Sequence, residues 1–136
     1  MLVVDASVLA VALLDDGPDG DHLRERLRGE DLSAPSLIDL EVVSVWRSLA
    51  RGGRLDDRRV DFAMDDLRAL PLQRVDHRVL IGRCWELREN LTIYDASYVA
   101  LAEALQATLI TGDRRIAGAP GLRCPVEVVR PRPRSH

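Results

Sequence analysis

The chain is 136 residues long, 46% hydrophobic and 30% charged, with a net charge of −3 at pH 7. This length and composition are typical of one compact globular domain, and the small net charge excludes strong electrostatic steering of the whole molecule toward nucleic acid or membrane. The sequence contains no Lys, which excludes a phosphate-binding loop and Schiff-base catalysis, because both need that residue.

Runs of β-branched residues alternate with longer amphipathic or apolar segments along the chain. In chain order we predict a strand over 2–4, helices over 6–14, 21–29, 37–51 and 56–70, a strand over 71–75, helices over 77–90 and 96–106, and strands over 107–111 and 126–129. Ser36 followed by Asp39 is typical of a capping box at the start of the third helix. Trp46 and Trp85 are interpreted as core or dimer-interface residues, and Tyr94 as a packing residue.

Strands that alternate with helices predict an α/β fold with a mainly parallel sheet of about four to five short strands surrounded by helices. We expect one domain over 1–129 and a disordered Pro/Arg-rich tail over 130–136. The apolar N-terminal run is shorter than the ~20 residues that span a bilayer, so no membrane association is expected. Cys84 and Cys124 lack metal-binding spacing, which favours a reduced, cytoplasmic protein.

Four carboxylates occupy positions typical of a ligand site. Asp5 and Asp113 follow predicted strands, Asp95 begins a helix, and Glu41 is the only charge in the apolar stretch 40–46. Each alone has a simpler explanation as a helix cap, a turn residue or a solvent-facing helix position. Because ligands of open α/β sheets bind beyond the carboxyl ends of the strands, the joint pattern predicts that all four converge at one edge.

Convergence of four acids requires compensation. Two unit charges ~4 Å apart repel by ~4 kcal/mol at an effective dielectric of 20, so we expect a bound cation and a raised pKa for at least one carboxyl group. Carboxylate and water ligands suit Mg²⁺ or Mn²⁺. Such ions act on phosphate esters, and the acids therefore predict a metal-dependent phosphodiesterase or phosphatase.

The segments "LVVDASVLA", "PSLIDLE" and "LTIYDASYVALAEALQATLITGD" together resemble the PIN-domain ribonucleases. More narrowly, they resemble the toxin subunit of the virulence-associated toxin–antitoxin pairs. The resemblance extends from Leu2 to about Val129, and its most specific part is the block from Tyr94 to Asp113. It implies a single PIN-like domain and a type II toxin that cleaves RNA as an Mg²⁺- or Mn²⁺-dependent endoribonuclease.

The same resemblance implies roles for particular residues and partners. It implies an acidic quartet that is both catalytic and metal-binding, made of Asp5, Glu41, Asp95 and Asp113. Ser7 and Thr111 match hydroxyl residues that support these ligands. The implied partners are an RNA substrate, a second copy of the chain in a homodimer, and a small cognate antitoxin that inhibits the site within a hetero-oligomer.

Two positions depart from the family pattern, and other functions stay open. Ser44 stands where many relatives carry Asn, and Arg115 where some carry a further acid, so the number of metal ions is undetermined. Arg114 and Arg115 follow the last acid and are either substrate-phosphate contacts or parts of a solvated turn. The alternative hypotheses are a metal-dependent phosphatase, which the absence of Lys disfavours, and a non-catalytic module that binds RNA or protein.

Overall fold

A parallel five-stranded sheet forms the centre of the computed structural model, which describes residues 1–129. The predicted tail, 130–136, lies outside the described residues. The strands are β1 (Leu2–Val4), β2 (Leu32–Pro35), β3 (Gln73–Val75), β4 (Thr108–Thr111) and β5 (Val126–Val128). The helices are α1 (Ala6–Leu14), α2 (Pro18–Leu27), α3 (Ile38–Arg51), α4 (Asp57–Ala69), α5 (Ile81–Glu86), α6 (Ile93–Leu105) and α7 (Arg114–Ala117), and a 3₁₀ turn at His77–Leu80 leads into α5. The predicted α/β class is confirmed.

The strand order in the sheet is β3-β2-β1-β4-β5, and every neighbouring pair is parallel. The chain therefore moves from β1 toward one edge and then crosses to the other side of β1. At this reversal β1 pairs with β4, so that Leu2 lies opposite Thr108 and Val4 opposite Ile110. Crevices at such a reversal, beyond the carboxyl ends of the strands, are the usual ligand sites of α/β sheets.

The core covers both faces of the central strands. Val3, Val4, Leu109 and Ile110 are fully buried, as expected for parallel strands that helices cover on both sides. Helix α6 packs across β1, β2 and β4 and is buried at every position from 96 to 102, which is typical of a helix without a solvent face. The middle of α6 is therefore held against the sheet.

The strand β2 was not predicted. Its sequence, LSAP, contains no aromatic or β-branched residue, and such runs carry little strand signal. It nevertheless lies inside the sheet, where Ser33 pairs with both Val3 and Gln73. Partners on both sides, rather than local propensity, make this segment a strand.

Several predicted helix boundaries were wrong. The N-cap of α3 is Leu37 and makes no side-chain hydrogen bond, so the Ser36 capping box does not form. Asp39 instead accepts two hydrogen bonds from the Arg74 guanidinium, at 2.7 and 2.9 Å. The helix predicted over 77–90 is a 3₁₀ turn followed by the short α5. No helix within residues 1–129 is long and apolar enough to cross a membrane.

Candidate acidic metal site

Four carboxyl groups from separate parts of the chain line one pocket of about 290 Å³. Asp5 is the N-cap of α1 and Asp113 the N-cap of α7, while Glu41 and Asp95 lie in the first turns of α3 and α6. The other lining residues carry no charge and are Ala6, Ser7, Ser44, Val45, Tyr98 and Ile116. The structure thus brings together all four acids that the sequence singled out.

Asp5 is the most deeply placed of these acids, with 6% of its surface exposed. Its Oδ1 accepts hydrogen bonds from the Ser7 hydroxyl at 2.7 Å and from the Val8 backbone N–H at 3.1 Å. Its Oδ2 accepts a hydrogen bond from the Thr111 hydroxyl. Burial raises the pKa of Asp5, these hydrogen bonds oppose the increase, and the charge of Asp95 adds to it.

The Ser7 and Thr111 hydroxyls also accept hydrogen bonds from the turn after β4. The Gly112 N–H donates to Ser7 Oγ at 3.1 Å, and the Asp113 N–H donates to Thr111 Oγ1 at 3.0 Å. A Cβ atom at position 112 would lie only 3.2 Å from Ser7 Oγ, so glycine permits the close approach. The two hydroxyls therefore join the carboxyl end of β4 to Asp5.

Glu41 is held by a residue that the sequence analysis did not identify. The Tyr98 hydroxyl donates a hydrogen bond to Glu41 Oε1 at 2.5 Å. Burial raises the pKa of Glu41, the Tyr98 hydrogen bond lowers it, and the charges of Asp95 and Asp5 raise it again. Burial and the Glu41 carboxylate also raise the pKa of Tyr98 above its ordinary value. The only sequence signal was the spacing of three residues from Asp95, which places both on one face of a helix.

Asp95 and Asp113 lie in opposite electrostatic environments. Burial raises the pKa of Asp95, the Thr92 side chain lowers it, and the Asp113 charge raises it further. Hydrogen bonding from Arg115 holds the pKa of Asp113 below its ordinary value. The Arg115 guanidinium contacts both Asp113 oxygens, at 3.1 Å from Nε and 2.9 Å from Nη2. Within residues 1–129, Asp113 is thus the one acid of the four that is paired with a cation.

The remaining candidate residues had mixed outcomes. Trp46 is buried and its indole N–H donates to the Ala10 carbonyl at 3.0 Å, so its assignment to the core is confirmed. The packing role predicted for Tyr94 is wrong, because this side chain is 64% exposed. Arg114 is exposed in α7 and Arg115 pairs with Asp113. Contact of either arginine with substrate phosphate stays a prediction.

The side chains that line the pocket offer the ligand atoms that a hard divalent cation prefers. All polar side-chain groups that line it are carboxyl or hydroxyl groups, which are the oxygen ligands that Mg²⁺ and Mn²⁺ prefer. As placed, residues 1–129 contain no group of three or more His, Cys, Asp or Glu that could hold a metal ion. A cation held by three or more of these carboxyl groups at once would thus require them to move closer together.

A second feature is an exposed apolar groove of about 600 Å³, and one of its lining residues, Tyr94, directly precedes Asp95 in the sequence. It is lined by Leu37, His77, Ile81, Cys84, Trp85, Ile93, Tyr94 and Ser97. Ile81, Trp85 and Tyr94 are 59%, 62% and 64% exposed. Large apolar side chains that are grouped and exposed mark an interaction surface more often than isolated ones do.

Comparisons with known proteins agree with this architecture. Residues 2–122 match the model of the PIN domain family. The chain is 44% identical over 132 residues to the VapC ribonuclease Mb0985 of Mycobacterium bovis, covering 95% of this chain and 98% of that protein. PAE2754 from Pyrobaculum aerophilum superposes with a TM-score of 0.58 at 27% identity, covering 86% and 84% of the two chains. VapBC2 from Rickettsia felis, in a structure with a promoter DNA fragment, superposes with a TM-score of 0.62 at 14% identity and covers 93% and 97%, a likeness of fold alone.

Proposed function

This chain belongs to the PIN-domain family and to its VapC toxins, and from that premise we propose that it is a Mg²⁺- or Mn²⁺-dependent endoribonuclease, the toxin of a type II toxin–antitoxin pair. The observation that carries the proposal is the single pocket lined by four carboxyl groups at the point where the strand order reverses. Ribonuclease activity in close relatives supports the reaction class. A cytoplasmic location, where cellular RNA is found, is part of this proposal.

Asp5, Glu41 and Asp95 are the side chains that would hold the cation, with Asp113 at the Arg115 side of the pocket. Their charges act on one another: Asp95 raises the pKa values of both Asp5 and Glu41. When bound, a divalent cation would activate water and stabilise the charge that develops on a phosphodiester group. The oxygen-only donor set supports this assignment.

The protein's own contribution at Asp5 is to orient the carboxylate without neutralising it. Ser7 and Thr111 donate neutral hydrogen bonds to Asp5, which fix its orientation and leave its negative charge available. Without a cation, the same pocket repels the phosphodiester backbone. Arg114, exposed beside the last acid, is the residue that we propose attracts substrate phosphate.

We further propose a small antitoxin protein as the inhibitory partner and a second copy of the chain as the partner in a homodimer. A pocket of four carboxyl groups complements the guanidinium group of an arginine, which binds carboxylates in bidentate fashion. The apolar groove defined above supports the homodimer, because exposed apolar side chains that are grouped together often mark an interaction surface. Membership of the VapC toxins supports the antitoxin.

The proposed activity can be tested with the purified full chain and a defined RNA. We expect cleavage with Mn²⁺ or Mg²⁺, no cleavage in excess chelator, and 5′-phosphate ends. Asp95→Asn should abolish cleavage and leave the melting temperature within a few degrees of the wild type. Asp61→Asn, which changes an exposed carboxyl group on α4, is the matched control and should cleave normally.

Three outcomes would contradict the proposal. Full cleavage by Asp95→Asn in Mn²⁺ would show that the acidic pocket is not the catalytic site. Calorimetry that detects no binding of Mg²⁺ or Mn²⁺ to the wild type would favour a non-catalytic module. Release of inorganic phosphate from small phosphomonoesters, without RNA cleavage, would favour a phosphatase.

A further inference from the structure

Tyr98 is a buried aromatic residue whose polar end faces the acidic pocket. The side chain is 1% exposed, and its hydroxyl donates to Glu41 Oε1 at 2.5 Å. A buried hydroxyl group without a partner would destabilise the fold, whereas a phenyl ring would satisfy the core by packing alone. The contact with the Glu41 carboxylate therefore accounts for a tyrosine, rather than a phenylalanine, at position 98.

Glu41 depends on this contact more than Asp5 or Asp113 depends on any one of its contacts. Asp5 accepts from three donors, and both oxygens of Asp113 contact Arg115. Within residues 1–129, Tyr98 is the only donor to the Glu41 side chain. Glu41 is half-buried and has three rotatable side-chain bonds, so without a partner its carboxyl group is free to turn toward solvent.

The helix that carries Tyr98 is well suited to orient Glu41. Tyr98 lies one turn after Asp95 on α6, and α6 is buried against the central strands. Asp95 and the donor to Glu41 therefore move as one rigid unit, although Glu41 itself lies on α3. The contact sets the position of the Glu41 carboxylate relative to Asp95 across two elements.

We propose that Tyr98 is a positioning residue that holds the Glu41 carboxylate in the acidic pocket for divalent-cation binding and RNA cleavage, an inference that rests on the proposed function. Tyr98 contacts Glu41 and acts only through it. Groups that orient metal ligands in this way typically change metal affinity or activity by about 10- to 100-fold when they are removed.

The first test compares two substitutions that each remove a single oxygen atom. Tyr98→Phe keeps the buried ring and should lower the affinity for Mn²⁺, measured by calorimetry, by about tenfold or more. It should also lower kcat for RNA cleavage more than it changes KM. Tyr94→Phe is the matched control, since Tyr94 lies one turn earlier on α6 and is exposed; it should change neither quantity.

A second variant tests whether Tyr98 acts through Glu41. Glu41→Asp keeps the charge but withdraws the carboxyl group by one methylene, so it should weaken Mn²⁺ binding even in the presence of Tyr98. Adding Tyr98→Phe to Glu41→Asp should then lower the affinity by less than about twofold more, because coupled residues are not additive. Fully additive losses would mean that Tyr98 acts through general packing, and they would overturn the proposal.

A measurement without metal separates this proposal from the proposed function. In the cation-free protein, at one fixed pH, the ¹³C carboxyl signal of Glu41 should shift in Tyr98→Phe and stay unchanged in Tyr94→Phe. An active wild type together with a Tyr98→Phe variant that binds Mn²⁺ and cleaves RNA equally well would overturn the positioning role alone. A wild type that neither binds Mn²⁺ nor cleaves RNA would overturn the proposed function. A Glu41 signal that is unchanged in cation-free Tyr98→Phe would overturn the positioning role, whether or not the wild type is active.

Discussion

Neutral hydroxyl groups, rather than positive charges, orient two of the acids in the pocket. Ser7 and Thr111 donate to Asp5, and Tyr98 donates to Glu41. Such donors orient a carboxylate while its charge stays uncompensated, whereas a guanidinium partner would cancel it. The prediction of raised carboxyl pKa values is confirmed, but burial is a larger cause than the crowding of charges that the sequence indicated.

Raised pKa values make Mn²⁺ binding depend on pH. The pKa values of Asp5, Glu41 and Asp95 all lie above their ordinary values, so these groups keep protons to a higher pH than free carboxyl groups do. Because a cation binds the ionised form, affinity should rise with pH and binding should release protons. We expect an increase of up to about tenfold per pH unit for each proton released, measured by calorimetry at several pH values between 5 and 8.

The control for this prediction is a carboxyl group with the opposite shift. Hydrogen bonding from Arg78 lowers the pKa of the exposed Asp76 to about 2, so that group is fully ionised across the whole range. Asp76→Asn should leave the pH dependence unchanged. An affinity that is constant from pH 5 to pH 8 in the wild type would contradict the prediction.

At the residue scale, the sequence predicted those site residues that are both acidic and located at the end of a strand or the start of a helix. Asp5 and Asp113 follow strands, and Asp95 opens a helix, so a parallel sheet brings them to one edge. Tyr98 was missed because its partner is 57 residues away, and a buried Tyr is indistinguishable from an ordinary core residue in one sequence. The pairing of Arg115 with Asp113 was missed because an arginine after an acid is equally compatible with a solvated turn.

At the scale of elements, strand ends and helix starts deliver the acids. Elements that contain a continuous apolar run, such as α1 and β4, were predicted close to their observed bounds. Other elements depend on tertiary contacts that the sequence pattern does not show. The strand β2 pairs on both sides despite its weak strand propensity. Asp39 pairs with Arg74 instead of forming the predicted capping box. Arg74 also donates to the Leu67 carbonyl at the end of α4, so one side chain joins α3, α4 and β3.

Two helical glycines should respond oppositely to the same substitution. A Cβ atom at Gly20, in α2, would lie 1.8 Å from the Asp15 carbonyl oxygen, whereas a Cβ at Gly82, in α5, meets no atom within 4 Å. Gly20→Ala should therefore force the backbone apart and lower the free energy of unfolding by about 1–3 kcal/mol. Gly82→Ala should raise it by up to about 1 kcal/mol through helix propensity.

Denaturant titration of both variants measures these changes, and each serves as the control for the other. A neutral Gly20→Ala would show that the approach of α2 to the end of α1 is looser than the structure indicates. Since neither residue lines the acidic pocket, RNA cleavage by the folded fraction should be unchanged in both.

At the scale of the whole molecule, the start of α6 places the acidic pocket and the apolar groove side by side. Tyr94 lines the groove and the next residue, Asp95, lines the pocket. A second copy bound at the groove would therefore lie next to the pocket of the first. The sequence predicted a homodimer only through family resemblance, because it could not show which apolar side chains stay exposed after folding.

Disruption of the groove should convert the proposed homodimer to a monomer. Ile81→Glu places a charge among the exposed apolar side chains of the groove, where its desolvation on association would cost several kcal/mol. Phe62→Glu is the matched control, because Phe62 is 70% exposed on α4 and does not line the groove. Sedimentation equilibrium should show a dimer for the wild type and for Phe62→Glu, and a monomer for Ile81→Glu. Since the substitution leaves all four acids in place, the monomer should keep its affinity for Mn²⁺, and a dimeric Ile81→Glu would place the interface on another surface.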